Sequence, residues 1–378
     1  MNKAYVEWRD EGYWIVNTRV SLDTIVYAFL DGQSPESIAQ SLPALTLEQI
    51  YGAIAFYLAH QPEVETYLEK AKTDFETKRK AARKSDPVFY QKLADARCRV
   101  ETIPIIWSHI ESRLNSSLPK WEEHIENFDQ VAAIEERIAG KTWNDDEVFE
   151  GLLMAVLSSG IDWSKIEKIR HELKDVFCGF SLEEYAALPD TKIASYVVPW
   201  FKERKAGSPW LKRNLINLTH TARKLAEYSK TYGAAERYFT SLMYQCDDDP
   251  KQVALCIGLS NKYKLPSFGV PVAAEALKNL GFDVAKPDRH ILRAMGSFGL
   301  VHFNRWPDRS KNKPPTTPTR SELYETMASV EKIAVNAGKY VGFVDNAIWL
   351  LCAMSGLDLT NKELTVIAYK AHSKGCAN

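Results

Sequence analysis

A tight turn between two apolar helical segments limits the folds open to this chain more than any other feature. The first segment, DPKQVALCIGLSNKY, covers residues 249–263, and the second begins at Val270. Pro271 suits the first turn of a helix, where a missing N–H costs nothing, and Gly269 allows the chain to reverse closely. The pattern predicts a short helical hairpin with the N-terminus of its second helix pointing outward.

The outward N-terminus of the second helix predicts a place for an anion. Backbone N–H groups and the helix dipole favour a phosphate there without a basic side chain. This matters because the chain of 378 residues has a formal net charge of −1 and is not basic overall. A nucleic-acid function therefore requires its positive charge to be gathered on one face.

The rest of the chain after about residue 100 is predicted to be helical throughout. In WNDDEVFEGLLMAVLSSG, for example, apolar residues recur at helical spacing after Asn144 or Asp145 as a cap. The length favours more than one domain. We predict an all-α protein with a first domain at 1–99, which ends in a charged linker helix, and a second at 100–378.

The first domain shows three successive helix starts. Ser21 precedes one apolar helical run, Ser34-Pro35 begins a second, and Thr46 with Gln49 has capping-box spacing for a third. This pattern predicts a helix-turn-helix, in which Thr46, Gln49 and Tyr51 stand where a recognition helix presents polar side chains. However, no Lys or Arg occurs between Val20 and His60, which is unfavourable for phosphate contact.

The same stretch, NTRVSLDTIVYAFLDGQSPESIAQSLPALTLEQIYGAIAFYLAH, resembles the DUF433 family. These are small helix-turn-helix domains similar to the antitoxins of bacterial toxin–antitoxin pairs. The resemblance implies DNA binding, and a three-helix module that binds a second protein, associates with itself or merely folds is the alternative.

The hairpin and the residues after it resemble a second family. L-P-S-F-G-V-P-V-A-A is similar to the L-P-G-V-G-x-K-x-A hairpin of the helix-hairpin-helix DNA glycosylases, and D-R-H-I-L-R is similar to their D-x-H-x-x-R helix. The resemblance covers roughly residues 100–375 and implies that Asp288 is catalytic. It further implies DNA contacts at Leu265, Pro266, Ser267, Phe268, Gly269, Val270, Pro271, Arg289 and Arg293. The two arginines could equally meet solvent.

A third similarity concerns the pocket for the base. FEGLLMAVLSSGIDW resembles the early helix and base-wedging loop of these enzymes, and Gly160-Ile161-Asp162-Trp163 is similar to the Gly-x-x-Trp of bacterial 3-methyladenine DNA glycosylase. The similarity implies that this loop wedges the target base out of the duplex and that Trp163 stacks on it. Trp163 could also belong to the core. The implied pocket and wedge residues are Ser158, Ser159, Gly160, Ile161 and Trp163.

The chemistry explains why such a site needs an acid. Cleavage of an N-glycosidic bond builds positive charge on the sugar, and a carboxylate at ~4 Å attracts that charge by roughly 4 kcal/mol at an effective dielectric of 20. The same carboxylate can orient the attacking water. The alternative is that Asp288, directly after Pro287, is an ordinary helix N-cap, and one residue can do both.

Two departures from the family narrow the expected activity. Pro271 stands where bifunctional members carry a Schiff-base lysine, and proline has no nucleophilic amine. Ala155 replaces a glutamate of the 3-methyladenine enzyme, so the substrate of that enzyme does not carry over. We therefore expect a monofunctional DNA glycosylase without lyase activity. The alternatives are an inactive DNA-binding regulatory protein and a defence glycosylase that removes phage-type modified bases.

The spacing of the cysteines and the length of the apolar runs indicate which cofactors and which cellular location to expect. The six cysteines lack the spacing of a zinc or iron–sulfur site, so we expect no prosthetic cofactor and reduced thiols in the cytoplasm. The family resemblance allows a K⁺ or Na⁺ ion bound by backbone carbonyls of the hairpin. The expected partner is double-stranded DNA, and we expect no membrane contact, because no apolar run is long enough to span one.

Overall fold

A computed structural model describes residues 3–85, 103, 105–306, 308, 312–354 and 357–367. The chain divides into two compact units, Met1–Ala94 and Asp95–Asn378. The predicted boundary between residues 99 and 100 lies outside the described residues, and it stays a prediction. The described residues are mainly helical, which confirms the predicted all-α fold class.

The N-terminal unit begins with a small hairpin that was not predicted. Strand β1 (Val6–Arg9) pairs antiparallel with β2 (Gly12–Ile15). Asp10 and Glu11 join them with φ angles of 50° and 62°, the left-handed geometry that suits a two-residue hairpin turn. The hairpin was missed because VEWR and GYWI are too short to show a period of two.

Four helices follow the hairpin in this unit, and the first three begin directly after the predicted residues Ser21, Ser34 and Thr46. The Oγ atom of Ser34 accepts a hydrogen bond from the N–H of Ser37 at 3.2 Å, and Thr46 with Gln49 forms a complete capping box. Buried residues such as Ile25 and Ile50 form the core of the unit. The helices are α1 (Leu22–Leu30), α2 (Pro35–Ser41), α3 (Leu47–Ala59) and α4 (Gln61–Ser85).

The C-terminal unit is a larger helical bundle, and its described part contains no strand. Its first helices are α5 (105–117), α6 (Trp121–Glu126), α7 (Gln130–Ile138), α8 (Asp145–Ser158) and α9 (Trp163–Ile169). Three shorter turns of helix come next, at α10 (Leu173–Val176), α11 (Leu182–Ala187) and α12 (Asp190–Lys192). A π-helical stretch at Ile193–Val197 then leads into α13 (Val198–Glu203).

The second half of the unit carries the hairpin and the acid. Its helices are α14 (Leu211–Tyr232), α15 (Glu236–Gln245), α16 (Pro250–Leu259), α17 (Val270–Asn279), α18 (Arg289–Ser297), α19 (Arg320–Ala337), α20 (Val341–Ala353) and α21 (361–367). Across both units, none of the described helices is both long and apolar enough to cross a membrane.

Helices α16 and α17 form the two arms of the predicted hairpin and pack at close range. A Cβ atom added to Gly258 would lie 2.6 Å from the backbone nitrogen of Val270, so only glycine fits there. Ala273 and Ala274 are fully buried. The small residues of both helices therefore bring the two backbones together and fix the position of the turn.

Candidate active site

A cleft of 1490 Å³ opens in the C-terminal unit between α8–α9 on one side and α17, α18 and α20 on the other. It is lined by Asp288, by the predicted wedge segment 158–163 and by Val270 and Pro271 of the hairpin. The structure thus brings the segment 158–163 to the hairpin and Asp288, which lie more than a hundred residues further along the chain.

Asp288 is half-buried and is the N-cap of α18. Its Oδ1 atom accepts hydrogen bonds from the N–H groups of His290 at 2.8 Å and Ile291 at 3.1 Å. Its Oδ2 atom accepts none from the described residues. One oxygen therefore holds the carboxylate in place, and the other is available to a molecule in the cleft.

The loop that carries Asp288 is fixed to α20 at two points. Asp283 accepts hydrogen bonds from the N–H groups of Val341 and Gly342, at 3.0 and 2.8 Å, and so caps α20. From α20, Asp345 accepts a hydrogen bond from the N–H of Lys286 at 3.0 Å. The loop therefore has little freedom two residues before the acid.

A buried ion pair lies at the base of the cleft. Lys278 is 1% exposed, and its Nζ atom donates to Asp345 at 2.5 Å and to Asn346 at 2.9 Å. Burial opposes the charge of Lys278, but Asp345 and Glu275 together raise its pKa above the usual value. Burial also raises the pKa of Asp345 to about 6, although the lysine opposes that shift. Lys278 is therefore a bound ammonium rather than a free amine.

Sequence reasoning missed this ion pair. Its two members are 67 residues apart and each sits in an apolar helix. A single Lys in VAAEALKN and a single Asp in FVDNAIWLL were the only available signals, because a charge on an apolar face needs a buried partner.

Aromatic side chains form one wall of the cleft. Trp163 contacts Phe128 edge to face with ring centroids 5.4 Å apart, and Phe128 contacts Trp349 in the same way at 5.9 Å. All three are half-buried and line the cleft. We call these three residues the aromatic wall. Trp163 was predicted at this site. Phe128 lies in no recognised motif, and Trp349 lies in FVDNAIWLLC, a segment that resembles a late helix of the glycosylases but was not assigned to the site.

His290 extends the aromatic wall but has no free nitrogen. Its Nδ1 atom is 3.1 Å from the carbonyl oxygen of Cys352, and its Nε2 atom accepts a hydrogen bond from Nε of Arg289 at 3.0 Å. Burial lowers the pKa of His290, so the neutral ring is favoured. His290 therefore packs and orients rather than moving a proton.

The turn of the hairpin differs from the prediction in one respect. The reversal occurs at Ser267, which has a φ of 69°, while Gly269 is extended with a φ of −75°. Pro266 and Ser267 thus occupy the two central positions of a turn closed by a 3.0 Å hydrogen bond from Phe268 N–H to the carbonyl of Leu265. Ser267 adopts a conformation that glycine would adopt more easily.

Several predicted DNA contacts are corrected by burial. The side chains of Leu265, Phe268 and Val270 are at most 3% exposed and anchor the turn in the core, so only their backbone can meet a ligand. Arg293 is 4% exposed and donates to Asn361 and to the carbonyl of Leu359, which excludes contact with phosphate in this conformation.

The other predicted site residues also differ in how far they are exposed. Ile161 is 6% exposed and belongs to the core, so it is not available as a wedge. Ser159 is exposed, and Ser158 and Gly160 are half-buried at the edge of the cleft. Arg289 is exposed beside Asp288, and Pro266, Ser267 and Pro271 are half-buried.

The backbone carbonyls of the hairpin already have donors from the protein. The hydroxyl of Thr221 donates to the carbonyl of Pro266 at 2.8 Å, and the hydroxyl of Tyr238 donates to that of Tyr263 at 2.5 Å. The ammonium of Lys224 lies 3.1 Å from the carbonyl of Lys264. A positive charge is thus in place there, and the hairpin is a poor fit for a K⁺ or Na⁺ ion. No group of His, Cys, Asp or Glu side chains in the described part of the chain could hold a metal ion.

The lining of the cleft contains more carboxylates than basic side chains. Glu147, Glu150, Asp162 and Glu167 lie along the side formed by α8 and α9. Burial raises the pKa of Glu150. These carboxylates repel a phosphate backbone, which is therefore disfavoured inside the cleft. They do not repel a neutral group that enters the cleft while the phosphates attached to it stay at the rim.

Comparisons with known proteins address the two units separately. Residues 13–57 match the family model DUF433, which is described as a protein of unknown function, and this confirms the prediction for that stretch. No curated protein sequence matches the chain. Among solved structures, the chain is similar to the crystal structure of the 8-oxoguanine DNA glycosylase of Thermotoga maritima. The identity is 18%, the coverage is 67% of this chain and 97% of that chain, and the TM-score is 0.43.

Proposed function

We propose that the C-terminal unit is a DNA glycosylase that hydrolyses the N-glycosidic bond of a damaged or modified base and leaves an abasic site. The observation that carries the proposal is the carboxylate of Asp288, which is fixed through Oδ1 and presents Oδ2 to a cleft with an aromatic wall. A fixed negative charge beside a stacking surface suits a reaction that builds positive charge on a sugar.

The duplex would be held at the hairpin through its backbone. Helix α17 begins at Val270 after Gly269, which offers no side chain to cap it, and Pro271 follows. The first N–H groups of this helix can therefore donate hydrogen bonds to a phosphate oxygen at the rim of the cleft. The extruded base would enter the cleft and stack on the aromatic wall, which offsets part of the few kcal/mol that unstacking costs.

Asp288 would act once the base is in the cleft. As the bond to the base lengthens, its carboxylate stabilises the positive sugar, and Oδ2 orients the water that attacks the sugar carbon. No covalent intermediate is required. Pro271 offers no amine, and Lys278, two turns further along α17, is an ion-paired ammonium. The proposed reaction is therefore hydrolysis without strand cleavage.

The N-terminal unit is proposed to bind a protein, either a second protein or another copy of this chain. Thr46 and Gln49 cap α3, and the hydroxyl of Tyr51 donates to Glu36 at 2.6 Å, so these polar groups are not free to read bases. Leu47 and Leu58 are exposed on the same helix. Light scattering across a concentration series would detect self-association, with Leu58→Glu as the variant expected to weaken it.

The test of the proposed function is direct. The full chain is incubated with DNA duplexes that each carry one damaged or modified base, including phage-type modified bases. Alkali then reveals abasic sites as strand breaks. We expect breaks with at least one base after alkali and none before it, and Asp288→Asn should reduce release by roughly 10²–10³-fold. Base release that is unaffected in Asp288→Asn would refute the role of Asp288.

A second candidate is a DNA-binding regulatory protein without catalysis. The excess of carboxylates in the cleft favours it, because such a lining offers little attraction to DNA. This candidate predicts duplex binding without abasic sites for any base in the panel. The defence role shares the chemistry of repair, and a preference for phage-type modified bases would support it.

A further inference from the structure

Glu275 and Lys286 form an incompletely satisfied ion pair in the wall of the cleft. Their side chains are only 13% and 14% exposed, and Oε2 of Glu275 lies 3.5 Å from Nζ of Lys286. Oε2 is buried and has no hydrogen bond of normal length, and the ammonium groups of Lys286 and Lys278 lie 3.5 and 3.7 Å from it. Buried charged groups with unused hydrogen-bonding capacity are rare, because each missing bond is costly.

The neighbouring Lys278 shows the contrast. It also lies near Oε2 of Glu275, at 3.7 Å, but its ammonium donates to Asp345 and Asn346. The other oxygen of Glu275, Oε1, accepts a hydrogen bond from Gln130 at 3.1 Å. Within this network the protein thus leaves one carboxylate oxygen, Oε2 of Glu275, without a close hydrogen bond, and both Glu275 and Lys286 line the cleft.

The backbone of Lys286 is as well fixed as that of Asp288. Its N–H donates to Asp345, and Asp288 follows two residues later in the same loop. Glu275 is placed by the rigid hairpin helix α17. A ligand beside Asp288 would therefore meet an acceptor and a donor about 3.5 Å apart on a rigid support.

We infer that Glu275 and Lys286 read the edge of the extruded base, and that this base carries a ring N–H next to a carbonyl group, as hypoxanthine, uracil and oxidised guanine do. The inference rests on the proposed function and names its substrate class. The carboxylate accepts from the ring N–H while the ammonium donates to the adjacent carbonyl oxygen, so the base supplies the hydrogen bond that Oε2 of Glu275 lacks.

The same pair disfavours other classes of base. A cationic alkylated purine brings a positive charge towards Lys286, and a base whose ring nitrogen is methylated on this edge leaves Glu275 unpaired. The amino edge of adenine offers a ring nitrogen instead of a carbonyl oxygen, which is the weaker partner for an ammonium. A site built to hydrogen-bond a group rejects analogues that lack it, because its own buried groups are then left unsatisfied.

Calorimetric titration of the full chain with free bases tests whether Glu275 and Lys286 read the edge of the base, and it does not depend on base release. The probes are 9-methylhypoxanthine and 1-methyluracil, whose edge is intact, against 1-methylhypoxanthine and 3-methyluracil, whose ring N–H is blocked, and 9-methyladenine. We expect at least one intact base to bind about 10–100-fold more tightly than its blocked isomer and than 9-methyladenine. Glu275→Gln and Lys286→Met should each remove most of that preference.

The controls separate this inference from the proposed function. Asp288→Asn should keep the preference, because Asp288 does not read the edge, even where base release is lost. Glu123→Gln and Lys120→Met remove an exposed ion pair outside the cleft and should change nothing. Equal binding of intact and blocked isomers, or a preference retained in both cleft variants, would overturn the inference. So would a borohydride-trapped covalent complex with DNA that requires Lys286, because Lys286 would then be a nucleophile.

Discussion

The N-termini of α17 and α18 both border the cleft, but only that of α18 has a side-chain cap. Helix α18 is closed by Asp288, whose carboxylate accepts two backbone N–H groups. Helix α17 follows Gly269 and has no side-chain cap. A closed end holds an acid in a defined position, whereas an open end leaves donors for an external anion. In the proposed function, the closed end of α18 carries the catalytic acid and the open end of α17 contacts the DNA backbone.

The largest expected effect comes from replacing the closing acid. Asp288→Asn keeps a good N-cap and removes the charge, and Asp288→Ala removes both. Both variants should lose base release by roughly 10²–10³-fold. Only Asp288→Ala should lose about 1 kcal/mol of unfolding free energy, measured by urea denaturation. Equal stability of the two variants would show that the cap at Asp288 contributes nothing to stability, which would contradict the difference drawn between the N-termini of α17 and α18.

The open end can be closed by design. Gly269 has φ −75° and ψ 170°, as N-cap residues do, and the nearest atom to an added Cβ is 4.0 Å away. Gly269→Asp should therefore fold normally, occupy the free N–H groups and repel phosphate, with duplex affinity about 10-fold lower.

Gly269→Ala is the matched control for that variant, because it adds a Cβ without a cap. Fluorescence anisotropy with a labelled duplex at fixed salt measures both. An undiminished affinity of Gly269→Asp would mean that α17 does not hold the backbone.

The turn before the open end is strained at Ser267. With a φ of 69°, this residue pays a steric cost that glycine avoids. Ser267→Gly should raise the unfolding free energy by about 0.5–1 kcal/mol, after its greater freedom in the unfolded chain is counted. Ser267→Ala, which keeps the strain and loses the 3.4 Å hydrogen bond to Asn214, should not be stabilised. A stabilised alanine variant would point to a cause other than φ.

The smallest effect concerns the acidic side of the cleft. Burial raises the pKa of Glu150 above its unfolded value near 4.5, so the folded state binds a proton more readily than the unfolded state. Its contribution to stability is therefore greatest at low pH and is lost as pH rises through the raised pKa. Glu150→Gln should gain stability relative to the natural chain between pH 4 and pH 8. A constant difference across this range would contradict the shift.

The sequence predicted those parts of the site that depend on local pattern. The hairpin, the cap at Asp288 and the place of Trp163 all follow from residues within one or two turns of each other. The glycine thought to reverse the chain was the wrong one, because a Ser at positive φ has no distinctive signal. Arg293 looked like a surface residue, since its partners Leu359 and Asn361 lie more than sixty positions away.

The parts that could not be predicted are those made by distant helices. Phe128 and Trp349 meet in the aromatic wall only after the turn between α6 and α7 packs against α20, and the ion pair of Lys278 and Asp345 joins two helices that are separately apolar. Apolar periodicity reports which face of a helix is buried, but not which helix it faces. The unpaired oxygen of Glu275 becomes visible only when its neighbours are known.

Gly281 has a consequence for how this unit is assembled. It has a φ of 76°, and an added Cβ would lie 2.3 Å from the carbonyl oxygen of Ala133, while Arg137 holds the carbonyl of Leu280 at 2.6 Å. During synthesis, α7 leaves the ribosome long before Leu280 and Gly281, the residues against which it packs. The acid gains its final setting only after α20 has emerged as well, so a nascent chain stopped earlier has the residues of the site without its geometry.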